Sequence, residues 1–279
     1  MKPPENSTLL ASDNRIRAVL APSAPADSAG PIASVLIFAW RGLLKIKHNP
    51  YLLVDVIITP IWLTVSFTYL FGGVIANSPQ KYLQFILPGM VVQAVVIISC
   101  YTAPVLKSDI IKGVFDRFNS MPLRRLAPLA GALLSDAARA LIGCLLVVAV
   151  GIGIGYRPAT GAVGIALTVI LILVASFGFG WVPVVIGLLS PTPAIAGILA
   201  FSLSSPVTFV SNIFVDPVTM PPWLQVLVEI NPLTHLTTAA SGILNGDVTA
   251  VEIVLALVGP AIIAAVLAPI ALALYQRER

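Results

Sequence analysis

Residues 158–215 read PATGAVGIALTVILILVASFGFGWVPVVIGLLSPTPAIAGILAFSLSSPVTFVSNIFV, and these 58 positions contain no Asp, Glu, Lys or Arg. A helix needs about 20 apolar residues to cross a bilayer, so this run is too long for a single crossing. Ser190-Pro191-Thr192-Pro193 divides it, because proline removes a backbone donor and clashes with the preceding turn. The run therefore predicts two membrane-spanning helices, about 161–189 and 194–213, joined by a tight turn.

The basic residues are concentrated in three short stretches of the chain. Fourteen of the 16 Lys and Arg residues lie in residues 1–50, 107–139 and 277–279. Lys and Arg concentrate on the cytoplasmic side of membrane proteins, so these 14 residues are predicted to lie on the cytoplasmic side or at its interface. The chain is 58% hydrophobic and only 10% charged, whereas soluble domains carry about 25% charged residues. The composition predicts a multi-pass membrane protein, and the position of its basic residues argues against a nucleic-acid partner.

The other apolar segments complete an all-α fold of six transmembrane helices. Their predicted bounds are about 51–71, 82–106, 127–156, 161–189, 194–213 and 251–275. Both termini are then cytoplasmic, and residues 214–250, which contain no Lys or Arg, are external. Residues 1–30 are predicted to form a disordered cytoplasmic tail, and residues 31–279 form the transmembrane domain.

Residues 33–48 precede the first span and have a different pattern. Trp40 falls on the apolar face of a helical projection, while Arg41 and Lys45 occupy other faces. This arrangement is typical of an amphipathic helix that lies in the membrane interface, so the segment is predicted to be an interface helix on the cytoplasmic side.

The sequence lacks the motifs of several classes of nucleotide-binding protein and enzyme. No lysine follows a glycine in a phosphate-binding loop, and no zinc-protease or serine-hydrolase motif occurs. His48 and His235 fall on opposite sides of the predicted membrane, and Cys100 and Cys144 lie inside apolar spans, where packing is their ordinary role. Asp136 and Arg139 are spaced i and i+3, so they are predicted to pair on one helical face.

The loop after the second predicted span contains the most specific pattern, LKSDIIKGVFDRFNSMP at residues 106–122. It resembles the membrane subunit of ABC-2 type bacterial exporters, specifically the daunorubicin-resistance (DrrB-like) permeases of actinobacteria. The shared D-x-x-x-G-x-x-D-R-F-x-S-x-P pattern is met by Asp109, Gly113, Asp116, Arg117, Phe118, Ser120 and Pro122. Phe71-Gly72-Gly73, Leu87-Pro88-Gly89 and the stretch from Ser211 to Pro232 are also similar to the family.

The resemblance implies a permease subunit of an ATP-driven exporter in the bacterial plasma membrane. Separate cytoplasmic ATPase subunits would bind ATP and Mg²⁺, and this chain would bind no cofactor. A second permease subunit, identical or different, would complete the path. The 107–122 segment would dock onto the ATPase as a coupling helix, braced by the interface helix. The coupling residues would be Asp109, Ile110, Gly113, Phe115, Asp116, Arg117, Phe118 and Pro122.

The resemblance also implies a re-entrant region of short external helices before the last span. Its candidate residues are Asn212, Pro221, Trp223, Asn231 and Pro232. From the residues alone, a Trp-anchored helix lying in the outer interface explains the pattern equally well.

The cargo expected from this resemblance is a hydrophobic or amphipathic compound, such as an antibiotic or a lipid-like metabolite. Aromatic residues of the spans would suit such cargo, although they could equally face lipid or a partner subunit; they are Trp62, Phe67, Phe85, Phe177, Trp181, Phe201 and Phe209. Two alternatives are export of a polysaccharide or lipid-linked polymer, and an intramembrane enzyme. The lack of a His/acid or metal cluster in the sequence weighs against the enzyme.

Overall fold

The computed structural model describes residues 50–113 and 127–277, with side chains for 56–113 and 129–276. The predicted tail 1–30, the predicted interface helix 33–48 and residues 114–122 of the predicted coupling segment lie outside the described residues. Within the described ranges all regular structure is helical and no strand occurs, so the predicted all-α class is confirmed there.

Ten α-helices, labelled α1 to α10 in chain order, make up the described ranges. Their bounds are α1 Pro50–Ala76, α2 Pro79–Cys100, α3 Thr102–Ile111, α4 Ala127–Ile154, α5 Gly161–Phe179, α6 Trp181–Leu189, α7 Pro193–Phe209, α8 Pro222–Ile230, α9 Pro232–Asn245 and α10 Ala250–Arg277. A 3-10 turn, Pro217–Thr219, lies between α7 and α8.

Five described stretches are long and apolar enough to cross a membrane. They are Val56–Ala76, Pro79–Ile111, Leu129–Ile154, Gly161–Leu189 and Ala250–Gln276. Each overlaps a predicted span, which confirms five of the six predictions at the level of length and composition.

The remaining predicted span, 194–213, which is the fifth in chain order, corresponds to the shorter helix α7. This helix has 17 residues and ends at Phe209, four residues before the predicted boundary. At about 1.5 Å per residue, it is roughly 25 Å long, which is less than the hydrocarbon thickness of about 30 Å. The apolar character of residues 210–215 continues past the helix end, and this explains why hydropathy placed the boundary too late.

The predicted turn in the charge-free run is confirmed. Helix α6 ends at Leu189 and α7 begins at Pro193. The hydroxyl oxygen of Thr192 accepts a hydrogen bond from the backbone N–H of Ile195 at 3.3 Å. This side-chain cap satisfies one of the amides that a helix N-terminus leaves unpaired.

Two of the long spans are interrupted within the bundle, which the sequence analysis did not predict. Tyr101 separates α2 from α3, and Gly180 separates α5 from α6. Each interruption lies three residues before a proline, Pro104 or Pro183. Because proline has no N–H, it cannot donate to the carbonyl four residues earlier, and this loosens both helices at the same relative position.

Helix α2 is the centre of the structure. In the most apolar window of Pro79–Ile111, 72% of the residues are buried, against 11% for the last span. Helix α2 contacts α1, α4, α5, α7 and α9. Its fully buried residues include Leu83, Ile86, Leu87, Val91 and Ile98.

One close approach in this core depends on glycine. Gly89 of α2 faces the segment after α7, and a Cβ at that position would lie 2.9 Å from both the Cα and the carbonyl oxygen of Ile213. Those are backbone atoms of a fully buried residue, so they cannot move aside without shifting the chain. Gly89 therefore sets the distance between α2 and residues 210–216.

We expect Gly89→Ala to lower the unfolding temperature of the purified protein in detergent, because forcing a methyl group into a packed core costs about 1–3 kcal/mol. Gly73→Ala is the matched control. A Cβ at Gly73 would meet nothing within 4 Å, and alanine favours helix over glycine, so this variant should be unchanged or slightly more stable. Equal unfolding temperatures for the two variants would contradict the close approach.

Candidate functional site

The start of the predicted coupling segment belongs to the long second span. Residues 107–111 continue α3, which ends at Ile111 and not at the predicted boundary of 106. Lys107 and Asp109 end the apolar run without ending the helix, because helical hydrogen bonding does not depend on side-chain polarity. The predicted loop therefore begins about five residues later, and Asp109 and Ile110 lie on a helix that continues from the core.

Helix α3 is held in place by an apolar cluster at one end of the bundle. Leu106 of α3 is buried there and Ile110 packs against the cluster, whereas Ile111 is 59% exposed. The other buried members come from α4, α6 and α10 and are Leu129, Leu133, Val184, Leu188, Ala271 and Tyr275. Ile110 thus braces α3 against three neighbouring helices, and Ile111 faces outward.

Gly113 ends the helix. Its φ of +62° is in the left-handed region, which glycine adopts at little cost and other residues avoid. Its N–H donates to the carbonyl oxygen of Ile110 at 2.9 Å. The glycine of the predicted motif therefore turns the chain out of α3 immediately before the rest of the coupling segment.

The remaining predicted coupling residues lie outside the described residues; they are Phe115, Asp116, Arg117, Phe118 and Pro122. The same holds for Trp40, Arg41 and Lys45 of the predicted interface helix. Their roles stay predictions.

A buried polar cluster joins α3 to α4, one helical turn before Leu106 along the chain. Asp136 and Arg139 form an ion pair on α4, and their side chains are 5% and 7% exposed. The predicted i, i+3 pairing is thereby confirmed. Thr102, at the first position of α3, donates its hydroxyl to Asp136 and accepts a hydrogen bond from an Arg139 Nη atom at 3.2 Å.

Thr102 is the member of this cluster that the sequence analysis missed. It lies 34 residues from Asp136 along the chain, and a single threonine inside an apolar span gives no signal of its own. Its hydroxyl hydrogen-bonds to both members of the ion pair, so the cluster connects the first turn of α3 to α4.

Asn231 organises the opposite end of the bundle. Its side-chain amide donates to the carbonyl oxygen of Val207 at 2.6 Å and to that of Val210, and its side-chain oxygen accepts the N–H of Leu233 at 2.9 Å. One side chain thus caps both the end of α7 and the start of α9. Asn212 is nearby in the fold and donates to the hydroxyl of Thr238 in α9 at 2.9 Å.

The other predicted external residues are less closely connected. Pro232 begins α9 beside Asn231, so these two lie together with Asn212. Pro221 and Trp223 are exposed at the start of α8, and Trp223 is 68% exposed. The structure therefore brings three of the five predicted residues together and leaves two on the surface.

Aromatic side chains gather beside this capped junction. Phe214 stacks on Phe67 at a ring-centroid distance of 4.7 Å and on Phe209 at 5.3 Å. The hydroxyl of Tyr82 donates to the carbonyl oxygen of Phe214 at 2.9 Å. Of the aromatics predicted to line a path, Phe67 and Phe209 border a cavity of about 270 Å³ beside this cluster, and Phe85 stacks on Tyr82 at a ring-centroid distance of 6.3 Å.

In the part of the chain that the structure describes, no group of three or more His, Cys, Asp or Glu side chains is arranged to hold a metal ion. His235 is half-buried on α9. The two cysteines are free and buried, in α2 and α4.

Comparison with known proteins agrees with these features. Residues 33–245 match the ABC-2 type transporter family. The chain belongs to this family. It is also 36% identical, over 264 residues, to the daunorubicin resistance ABC transporter permease protein DrrB1 of Streptomyces coeruleorubidus, and the alignment covers 95% of this chain and 93% of that protein.

This ABC-2 permease is therefore a multi-pass protein of the plasma membrane and a transport component. Its resemblance to drug-resistance permeases, first indicated by the loop motif, is confirmed by a relative of nearly equal length. Membership of the family implies that the permease works with an ATPase and as one of two permease subunits.

Removing one member of the buried ion pair should be far more damaging than replacing both. We expect Arg139→Met to destabilise the purified permease by about 3–5 kcal/mol, because it leaves an unpaired carboxylate in an apolar interior. The double variant Asp136→Leu with Arg139→Met removes both charges and should recover much of the loss. Thermal unfolding in detergent measures the difference.

The control is Arg157→Met, since Arg157 is exposed between α4 and α5. This variant should unfold at the temperature of the unmodified permease. If the double variant is as unstable as Arg139→Met, then the charges are not what holds α3 to α4.

Proposed function

We propose that this chain is the membrane subunit of an exporter that moves a hydrophobic or amphipathic compound out of the cell, driven by separate ATPase subunits that bind ATP and Mg²⁺. The observation that carries the proposal is family membership combined with spans that are nearly free of charge. Val56–Ala76 and Gly161–Leu189 contain no charged residue. In Leu129–Ile154 the two charged residues are paired with each other.

The nature of the cargo is supported by the same apolar surfaces. An ionic or strongly polar molecule would lose its hydration beside such walls without gaining partners, whereas a hydrophobic compound would not. A relative named for daunorubicin resistance favours a small antibiotic over a polysaccharide or lipid-linked polymer. The transport role of that relative also favours a permease over an intramembrane enzyme.

For energy coupling, we propose that α3 works as a lever between the ATPase and the core. Its outer end leads through Gly113 into residues 114–122, and its inner end is tied to α4 through Thr102. Phe115 and Phe118 would insert into a groove on the ATPase, as apolar anchors do at many interfaces. Asp109, Asp116 and Arg117 would set the orientation by charge complementarity.

We further propose six crossings with both termini in the cytoplasm, α7 being the fifth crossing and α8 and α9 lying at the outer side. The concentration of 14 of the 16 basic residues in three stretches supports this orientation. Most of α9 is buried, including Leu233, Leu236 and Ile243, which favours a helix inserted among the spans over one that lies on the surface.

Reporter fusions test this topology. A fusion at Asp247, in the turn between α9 and α10, should report an external location, and one after Arg279 a cytoplasmic location. A cytoplasmic signal at Asp247 would overturn the six-crossing arrangement.

Transport in reconstituted vesicles tests the function itself. With its ATPase present, the permease should move daunorubicin only when ATP is supplied, and transport should continue after the proton gradient is collapsed. The chain alone should hydrolyse no ATP, because no lysine of the sequence lies in a phosphate-binding loop. Uptake driven by a pH gradient without ATP would contradict the proposal.

The same system tests the coupling segment. Phe115→Ala combined with Phe118→Ala should release the ATPase during purification, because truncated anchors each cost about 2 kcal/mol or more. Ile110→Ala is the comparison, since Ile110 packs inward; it should lower stability more than ATPase binding. A double Phe variant that retains its ATPase and exports normally would exclude residues 107–122 as the coupling element.

A further inference from the structure

A cavity of about 300 Å³ lies where the two interrupted spans meet. Cys100 borders it from the end of α2, and Phe179 and Pro183 border it from the two sides of the α5–α6 interruption. Leu203, Ser204 and Val207 of α7 form another wall, and Pro232 and Leu233 of α9 form part of a third. The cavity is distinct from the aromatic cluster beside Phe214 and from the ion pair of α4.

The proline-dependent interruptions account for this space. In an unbroken helix, the backbone amides at 104 and 183 would pair with the carbonyls of Cys100 and Phe179. Proline supplies neither donor, so both helices are loosened beside the same cavity. Irregular backbone at membrane depth is tolerated only where it is buried in protein or lines a cavity, and the cavity lies between these two sites.

The lining is apolar apart from Ser99 and a small polar spot formed by Cys100 and Ser204. The thiol of Cys100 lies 3.3 Å from the hydroxyl oxygen of Ser204 and 3.6 Å from the carbonyl oxygen of Ala200. A hydroxyl that accepts a hydrogen bond still has its own hydrogen to donate. The spot can therefore serve one hydrogen-bond acceptor on a bound molecule, and the lining contains no charged side chain.

The mouth of the cavity opens at the surface of the subunit, beside α7. Leu203 and Val207 line the cavity and are also 56% and 43% exposed, and α7 is an apolar helix. A molecule that enters from lipid has to be hydrophobic, and an ionised one would find no counter-charge inside. Ligand pockets begin at about 300 Å³, which is enough for one or two rings.

We propose that this cavity is a binding site within a single permease subunit for a neutral hydrophobic compound that carries one carbonyl acceptor. The carbonyl oxygen of the compound accepts a hydrogen bond from the Ser204 hydroxyl, and the rings of the compound contact Phe179, Leu203 and Val207. That such a compound is the exported cargo rests on the proposed function, whereas the binding itself does not.

Benzophenone is a suitable probe, because it consists of two phenyl rings and one ketone. On irradiation its carbonyl oxygen takes a hydrogen atom from a nearby C–H group, and the two carbon radicals then combine into a C–C bond. The full-length permease in lipid nanodiscs is irradiated with increasing benzophenone, and the labelled peptides are mapped by mass spectrometry. We expect labelling of residues 96–100 and 203–207 to saturate, whereas labelling of lipid-facing residues should rise linearly.

Two serines of α7 provide matched variants. Ser204→Phe fills the cavity and should reduce the saturable labelling by about tenfold or more, while Ser202→Phe places the same ring on an exposed position of the same helix and should leave it unchanged. Ser204→Ala keeps the space and removes the donor, so the half-saturating concentration should rise about two- to tenfold. If Ser204→Phe does not fold, Val207→Phe at the mouth replaces it.

Equal labelling in the Ser204→Phe and Ser202→Phe variants, or labelling of residues 96–100 and 203–207 that never saturates, would overturn the proposal. So would a phospholipid that co-purifies with the permease, is lost in Ser204→Phe and is not displaced by benzophenone, because the cavity would then hold an acyl chain. The readout is binding without ATP, so a failure of ATP-driven export would defeat the proposed function and leave this result intact.

Discussion

A bilayer contains no water to pair with backbone groups or charges, so each of them needs a partner from the protein. The described helices meet this requirement in recurring ways. Prolines begin α1, α2, α7, α8 and α9. The N–H groups at the start of a helix have no partner within the helix, so the N–H that proline lacks leaves no bond unmade there. Thr64, Thr68 and Ser135 donate to carbonyls one turn earlier. Asn231 caps two helices at once, and Arg139 is buried only because Asp136 and Thr102 accompany it.

The same constraint explains where in the bundle the two spans can be interrupted. Helix breaks within a bundle are costly unless neighbouring helices surround them, and both breaks, at Tyr101 and Gly180, face other helices of the bundle. The first break is also where Thr102 ties α3 to α4. A shift of α3 would thus act on the ion pair of α4 and on the cavity wall at Cys100, because Tyr101 lies between Cys100 and Thr102, and Thr102 hydrogen-bonds to both members of the ion pair.

The sequence predicted most of the fold because hydropathy and charge report on the membrane directly. The charge-free run gave two helices and their Ser190–Pro193 turn, and the spacing of Asp136 and Arg139 gave their pairing. The predicted boundaries were wrong where a helix and an apolar run end at different residues. Helix α3 continues past Lys107, and α7 ends before its apolar sequence does. Thr102, the double cap by Asn231 and the cavity were missed because each depends on residues far apart in sequence. The interface helix and residues 114–122 stay predictions.

The scarcity of charge in the spans bears on the role of α3. A carrier driven by protons or ions needs titratable or charged groups along its path. In the described spans, Asp136 is paired with Arg139 and the other charged residues lie only near the ends. In the proposed function, the work on the cargo comes mechanically from the ATPase outside the bilayer. Helix α3 is suited to receive it, because Leu106 and Ile110 brace it against α4, α6 and α10 while Ile111 and Gly113 face out of the bundle. A displacement at its outer end would therefore act on the helices packed around it.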